Sequence, residues 1–158
     1  MSNLRINGTP HDIAAVPPET LLVDWLRDGL HLTGTHVGCD TSQCGACTVL
    51  VDGATAKACT LLVAQLDGSA VTTIEGLGTA DALHPMQEAF RTAHGLQCGF
   101  CTPGMVMAGI GIAQRHGAEV DEATVRHELE GNLCRCTGYQ NIVAAILAGA
   151  KEMSHAGV

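Results

Sequence analysis

The sequence predicts an α+β chain in two parts: strands around one short helix, then a bundle of four helices. Three observations carry that expectation. Two hairpin-turn dipeptides, Asn7-Gly8 and Asp52-Gly53, separate strand-like runs in the first half. From Pro85 onward, helix start and stop residues take over from turn pairs. The 8 cysteines fall into two sets of four with different spacings, one set in each part.

The elements follow in order. Leu4 to Ile6 reads as a strand, Asn7-Gly8 as its turn, and Asp12 to Val16 as the returning partner. Pro17-Pro18 breaks the pattern. Thr20 is the expected N-cap of a short helix that buries Leu21, Leu22, Trp25 and Leu26 and stops at Gly29. Residues 33–47 show neither helical nor strand period, and an ordered loop of that length is usually functional. Thr48 to Val51 and Val71 to Ile74 complete the strands, which with one helix make a small α+β unit. Composition shifts at residues 75–83, so the domains are expected at 1–76 and 77–158. Beyond the shift, Pro85 to His94 is one helix, stopped by Gly95. Thr102-Pro103 is an expected N-cap with Pro at the first helical position of a helix to His116. Asp121 caps a third helix ending near Gly131, and Gln140 to Met153 forms the fourth.

Composition narrows the function classes. A net charge of −8, with 8 Lys and Arg scattered along the chain, argues against phosphate-backbone binding and hence nucleic acid. Met1 to Arg5 leads directly into a strand, with no signal-peptide pattern. Ile142 to Ala150 is too short to span a bilayer, so no membrane insertion is expected. A cytoplasmic location follows as the expectation. There, eight cysteines point to metal binding rather than to disulfides.

The first set, Cys39, Cys44, Cys47 and Cys59, has the C-x4-C-x2-C spacing plus a remote fourth cysteine of plant-type [2Fe–2S] sites. One tight loop fixes three ligands, and the fourth arrives from beyond the next hairpin. Gly34, Gly38 and Gly45 are expected to adopt positive φ and turn backbone N–H groups toward the sulfurs. Zinc knuckles prefer matched cysteine pairs, which this is not. A Rieske centre needs two His ligands in register, and no Cys-x-His occurs. The second set pairs Cys98 and Cys101 as C-x2-C with Cys134 and Cys136 as C-x-C. Each pair precedes a helix start, where unpaired N–H groups favour an anionic group. Spacing alone leaves zinc open at this second site.

With both motifs in view, the chain resembles the small iron–sulfur subunit of the molybdenum hydroxylase family, which includes xanthine dehydrogenase and aldehyde oxidoreductase. The resemblance runs almost end to end and rests on the segments Gly34 to Val49, Gly95 to Met105 and Gly131 to Tyr139. Within it, Gly38-Cys39-Asp40-Thr41-Ser42 most resembles the aerobic carbon monoxide dehydrogenase branch. The resemblance implies an N-terminal plant-ferredoxin-like β-grasp domain and a C-terminal four-helix domain, each holding one [2Fe–2S] cluster. It implies a large partner subunit with a molybdenum pterin and a medium one with FAD, in a heterotrimer that dimerises. Electrons would run from molybdenum through the helical-domain cluster and the ferredoxin-like cluster to FAD. Gln97 and Cys136 would lie near the pterin. The substrate would be carbon monoxide, or else an N-heterocycle, a purine or an aldehyde.

Other residues are set aside. The 8 histidines are dispersed without a ligand pairing, His36 and His94 included. Met86, Met105 and Met107 read as core fillers. Glu119, Asp121 and Glu122 read as helix-start charge. Gly109-Ile110-Gly111 lacks the rest of a dinucleotide fingerprint. No nucleophile is visible, so no catalytic residue is expected in this chain. Two competing functions remain, a free ferredoxin-type carrier and a zinc-stapled interaction module.

Overall fold

In the computed structural model, residues 2–157 are described; Met1 and Val158, the two ends of the expected domains, lie outside them. Five strands form one mixed sheet in the order β2-β1-β5-β3-β4: β1 (Asn3–Ile6), β2 (Thr9–Asp12), β3 (Thr48–Val51), β4 (Ala54–Lys57) and β5 (Ala70–Thr72). Only β1 and β5 run parallel; the other pairs are antiparallel. The helices are α1 (Leu22–Asp24), α2 (Pro85–Thr92), α3 (Thr102–His116), α4 (Glu122–Glu128) and α5 (Gln140–Ala156). Among the described residues, no helix is long and apolar enough to cross a membrane.

The first hairpin corrects the sequence reading. Asn7 and Gly8 both take positive φ, 49° and 82°, as a two-residue turn requires. Ile6 then pairs directly with Thr9. The returning strand therefore starts at once and ends at Asp12, instead of running from Asp12 to Val16. Pro10 is tolerated because β2 is an edge strand. On β1, Leu4 and Ile6 are buried while Asn3 and Arg5 are exposed.

The cap at Thr20 is also corrected. Leu21 holds the N-cap position of α1 with no side-chain cap, because it bridges to Leu62, and the Thr20 carbonyl accepts from Val63 N–H at 3.0 Å. A π-helical turn, Trp25–Gly29, extends α1 and closes with Leu30 N–H donating to the Trp25 carbonyl at 2.9 Å. Leu22, Val23 and Leu26 are buried; Leu21 and Trp25 are half-buried. The last strand ends at Thr72, and Ile74 enters a 3-10 turn.

In the second half, α2 stops at Thr92, two residues before the expected His94. His84 caps it, accepting from Met86 N–H, while Gln87 reaches back to the His84 N–H. Thr102 is the first residue of α3 and Cys101 its N-cap, one position earlier than predicted. Asp121 caps α4 as expected, its carboxylate accepting from Thr124 N–H at 2.7 Å. The longest helix, α5, runs three residues past Met153.

There are two cores. Leu4, Ile6, Leu22, Leu26, Val49 and Val71 pack the first. Met86, Phe90, Met105, Met107, Ile142 and Ile146 pack the second, so the methionines do fill the helical core. The central strand β3 serves both: Val49 faces the first core and Leu50 the second. Its Leu50 face lies against α3, at whose N-terminal end a Cβ on Gly104 would sit 2.3 Å from the Gly45 carbonyl oxygen. Gly104→Ala should therefore force the helix off the loop and destabilise the chain by about 1–3 kcal/mol. Denaturant unfolding measures this, and an unchanged midpoint would contradict the packing.

Candidate metal centre

Segment 33–47 is held at its start and in its middle. Arg27 donates to the Thr33 and Thr35 carbonyls at 2.9 and 2.8 Å, and the Glu75 carboxylate accepts from Gly34 N–H at 2.8 Å. In its middle, Lys57 on β4 donates to the Ser42 carbonyl at 2.7 Å. The glycines play two different roles. Gly45 takes φ 70°, as expected, but Gly34 and Gly38 do not take positive φ. They are small for want of space. A Cβ on Gly34 would meet Ile74 at 2.5 Å, and one on Gly38 would meet Cys44 Sγ at 3.2 Å and Phe100 at 3.3 Å.

Backbone N–H groups point at sulfur in this loop. Cys44 N–H donates to Cys39 Sγ at 3.4 Å, and Ala46 N–H to Cys44 Sγ at 3.5 Å. The Cys44 N–H, helped by Thr41, pulls the Cys39 thiol down to about 6. Burial pushes the Cys47 thiol, which faces Cys59, up to about 11. Cys39 thus neighbours Cys44, and Cys47 neighbours both Cys59 and Cys44.

The second set is also brought together. Cys98 Sγ and Cys136 Sγ lie 3.4 Å apart, and Cys101 faces Cys134. Burial pushes Cys101 up to about 12. At Cys134 burial works upward, but Thr137, whose Oγ1 is 3.2 Å from its Sγ, prevails and the net shift is downward. The Phe100 N–H lowers Cys98, while the Cys98 sulfur raises Cys136. Cys98 and Cys136 are exposed and Cys134 is buried. Thr102 Oγ1, beside Cys101, is buried with no hydrogen-bond partner among the described residues.

This donor set fits a two-iron group. Each site offers four thiols, with N–H donors on sulfur and, at the second, a spare buried hydroxyl.

Sequence reasoning missed the residues that join the two sites. Asn132 Nδ2 donates to the Gly45 carbonyl at 3.1 Å, and Leu133 N–H donates to the Cys44 carbonyl at 2.7 Å. Tyr139 Oη accepts from Cys134 N–H at 2.9 Å and donates to the Asn132 carbonyl at 3.1 Å. Tyr139 itself sits at φ 67°, a left-handed conformation rare outside glycine. His36 stacks on Phe100 at 4.7 Å, and its Nδ1 lies 2.7 Å from the Phe100 carbonyl, so this histidine packs the loops together. A cavity of about 550 Å³ opens between the first loop and the end of α4, bordered by Cys39, Gln43, Leu129 and Tyr139. Arg126 on its wall is engaged by Glu122 and Gln140.

Comparisons with known proteins agree with the two-site reading. Residues 4–71 match the family described as 2Fe-2S iron-sulfur cluster binding domain, and residues 73–147 the family described as [2Fe-2S] binding domain. The second match answers the zinc alternative left open by spacing. The chain is 45% identical to 6-hydroxypseudooxynicotine dehydrogenase complex subunit beta of Paenarthrobacter nicotinovorans, over 90% of this chain and 88% of that one. It is 42% identical to the aldehyde oxidoreductase iron-sulfur-binding subunit PaoA of Escherichia coli K12, over 95% of this chain and 71% of that one. Among solved structures it matches quinoline 2-oxidoreductase from Pseudomonas putida 86 with a TM-score of 0.87 and 40% identity, covering 99% of this chain and 96% of that one.

The thiol environments order the cysteines by reactivity in the iron-free chain. At pH 7 Cys39 lies above its pKa of about 6 and is mostly thiolate, whereas Cys47 and Cys101, at about 11 and 12, remain thiols. Iodoacetamide labelling read by peptide mass spectrometry should modify Cys39 well before the other two. The Cys39 rate should fall as pH drops through 6.

Proposed function

The chain belongs to the family of small iron–sulfur subunits of the molybdenum hydroxylases, and from that premise we propose how its residues serve that role. Its fold is read as a plant-ferredoxin-like β-grasp domain over residues 1–76 and a four-helix domain over 77–158. Cys39, Cys44, Cys47 and Cys59 hold one [2Fe–2S] cluster; Cys98, Cys101, Cys134 and Cys136 hold the other. When bound, these clusters supply one-electron carriage between the molybdenum pterin of a large subunit and the FAD of a medium subunit.

The chain's own residues do the rest. Backbone N–H groups of Cys44 and Phe100 favour the thiolate form at Cys39 and Cys98. Burial of Cys47 and Cys134 keeps water from one side of each site. Tyr139 and Thr137 hold the Cys134 turn in place. No residue of this chain makes or breaks a substrate bond.

One observation carries the assembly reading. The sulfur edge formed by Cys98 and Cys136 is exposed, and every large exposed hydrophobic residue among those described lies within four residues of a ligand cysteine: Val37, Leu96, Phe100 and Leu133, from 40% to 61% exposed. An apolar rim around an open redox edge is what a permanent partner covers. Gln97, exposed beside Cys98, and Cys136 are therefore the residues assigned to the pterin side. A free carrier would have to keep that rim in water. The heterotrimer, its dimerisation and a cytoplasmic location belong to the same reading.

On substrate, the reading moves from carbon monoxide to the alternative held beside it. The relatives named above act, by their names, on quinoline, an aldehyde or 6-hydroxypseudooxynicotine, and each matches nine-tenths or more of this chain. An N-heterocycle or aldehyde substrate is accordingly assigned to the large subunit.

Purification from the native source should bring down molybdenum and flavin polypeptides with this chain, carrying about four irons and matching labile sulfide per copy of it. Cys134→Ser should remove one of two distinct EPR signals of the reduced protein and leave the other. Protein that came out alone, or kept both signals in the variant, would refute the partner or the ligand assignment respectively.

A further inference from the structure

We propose that Asn132 is the positioning residue that fixes the spacing and contact between the two cluster-holding loops; the proposal rests on the functional reading above. Asn132 immediately precedes the Leu133-Cys134 pair, yet its side chain reaches across the chain to the first loop, 87 residues away. The two Nδ2 hydrogens are shared among three oxygens, on the first loop, β3 and α3: the Gly45 carbonyl at 3.1 Å, Thr48 Oγ1 at 3.3 Å and the Gly104 carbonyl at 3.4 Å. Its backbone is held as well. Asn132 N–H donates to the Leu129 carbonyl at 2.9 Å, and its own carbonyl accepts from Tyr139 Oη at 3.1 Å.

Each of these contacts lies beside a ligand cysteine. Gly45 follows Cys44, Gly104 lies one helical turn past Cys101, and Tyr139 holds the Cys134 N–H. The Gly45 carbonyl collects two more donors, Thr48 Oγ1 at 2.7 Å and Thr48 N–H at 3.2 Å. That carbonyl cannot rotate without losing all three. With Gly45 pinned, the preceding Cys44 carbonyl is aimed at Leu133 N–H, 2.7 Å away. This single hydrogen bond links the residue bearing one set's sulfur to the neighbour of a residue bearing the other's. Steric fit enforces the same arrangement: a Cβ on Gly45 would lie 2.4 Å from the Gly131 carbonyl and 2.5 Å from Asn132 Nδ2.

The exchange this junction supports moves one electron. The donor group is oxidised by one electron and the acceptor reduced by one; no bond forms or breaks, and the Leu133 proton stays on nitrogen. Asn132 touches neither sulfur set, so its effect is on geometry.

In the purified complex, Asn132→Leu should keep its iron content and the separate EPR signal of each cluster. It should alter the magnetic splitting between the two signals and slow inter-cluster equilibration after pulse reduction by roughly 10–100-fold, the usual scale for losing an outer-sphere partner. Thr48→Val removes one side-chain donor to Gly45 and should move both readouts the same way by less; it decides the matter if the leucine variant does not accumulate. Unchanged splitting and rate in a fully loaded variant overturn the proposal. A wild-type complex without two distinct two-iron signals overturns instead the functional reading beneath it.

Discussion

On the proposed ligand assignment, eight sulfurs must come in fours to within bonding distance of iron, and like charges that close repel one another. The chain answers with backbone N–H groups. Cys44 and Ala46 aim theirs at sulfur, and Phe100 lowers Cys98 in the same way. The nearest lysine to the first loop, Lys57, spends its ammonium on the Ser42 carbonyl. A strand or helix consumes its N–H groups in its own ladder, so none would be left to face a thiolate. The stretches bearing most of the ligands are therefore irregular, and the regular elements hold them from outside.

That constraint explains why the two parts are not independent. β3 buries Val49 in one core and Leu50 in the other, so the first cluster's loop leads into a strand that both cores need. The start of α3 lies close enough to the Gly45 carbonyl that only glycine fits at position 104. Two separable carriers would gain nothing from such contact. A relay does, because its two loops must keep one fixed distance while each stays irregular.

Local chemistry was readable from the sequence where it involves near neighbours. Asn7-Gly8 and Asp52-Gly53 take the positive φ that hairpins need, and Asp121 caps its helix. What escaped depends on residues far along the chain. Thr20 has the right chemistry for a cap, but Leu62 draws Leu21 into a bridge. Gly34 and Gly38 resemble turn glycines, yet space taken by Ile74 and Phe100 makes them small. Asn132 carries no local signal at all, since its partners are set only when α3 and the first loop meet.

Burial adds a further coupling. Cys47 and Cys101 are inward-facing ligands, and burial makes each of them a poor thiolate on its own. On the proposed assignment, a bound iron group would favour their ionised form, its charge standing in for the water they have lost. Cys39 and Cys98 behave oppositely: backbone N–H donors lower both. Position alone does not set the direction, since the buried Cys134 is lowered by Thr137 and the exposed Cys136 is raised by the Cys98 sulfur. On that assignment, folding of the loops and filling of the sites would be one coupled equilibrium, since each thiol ionised by the bound group also fixes the irregular backbone that carries it.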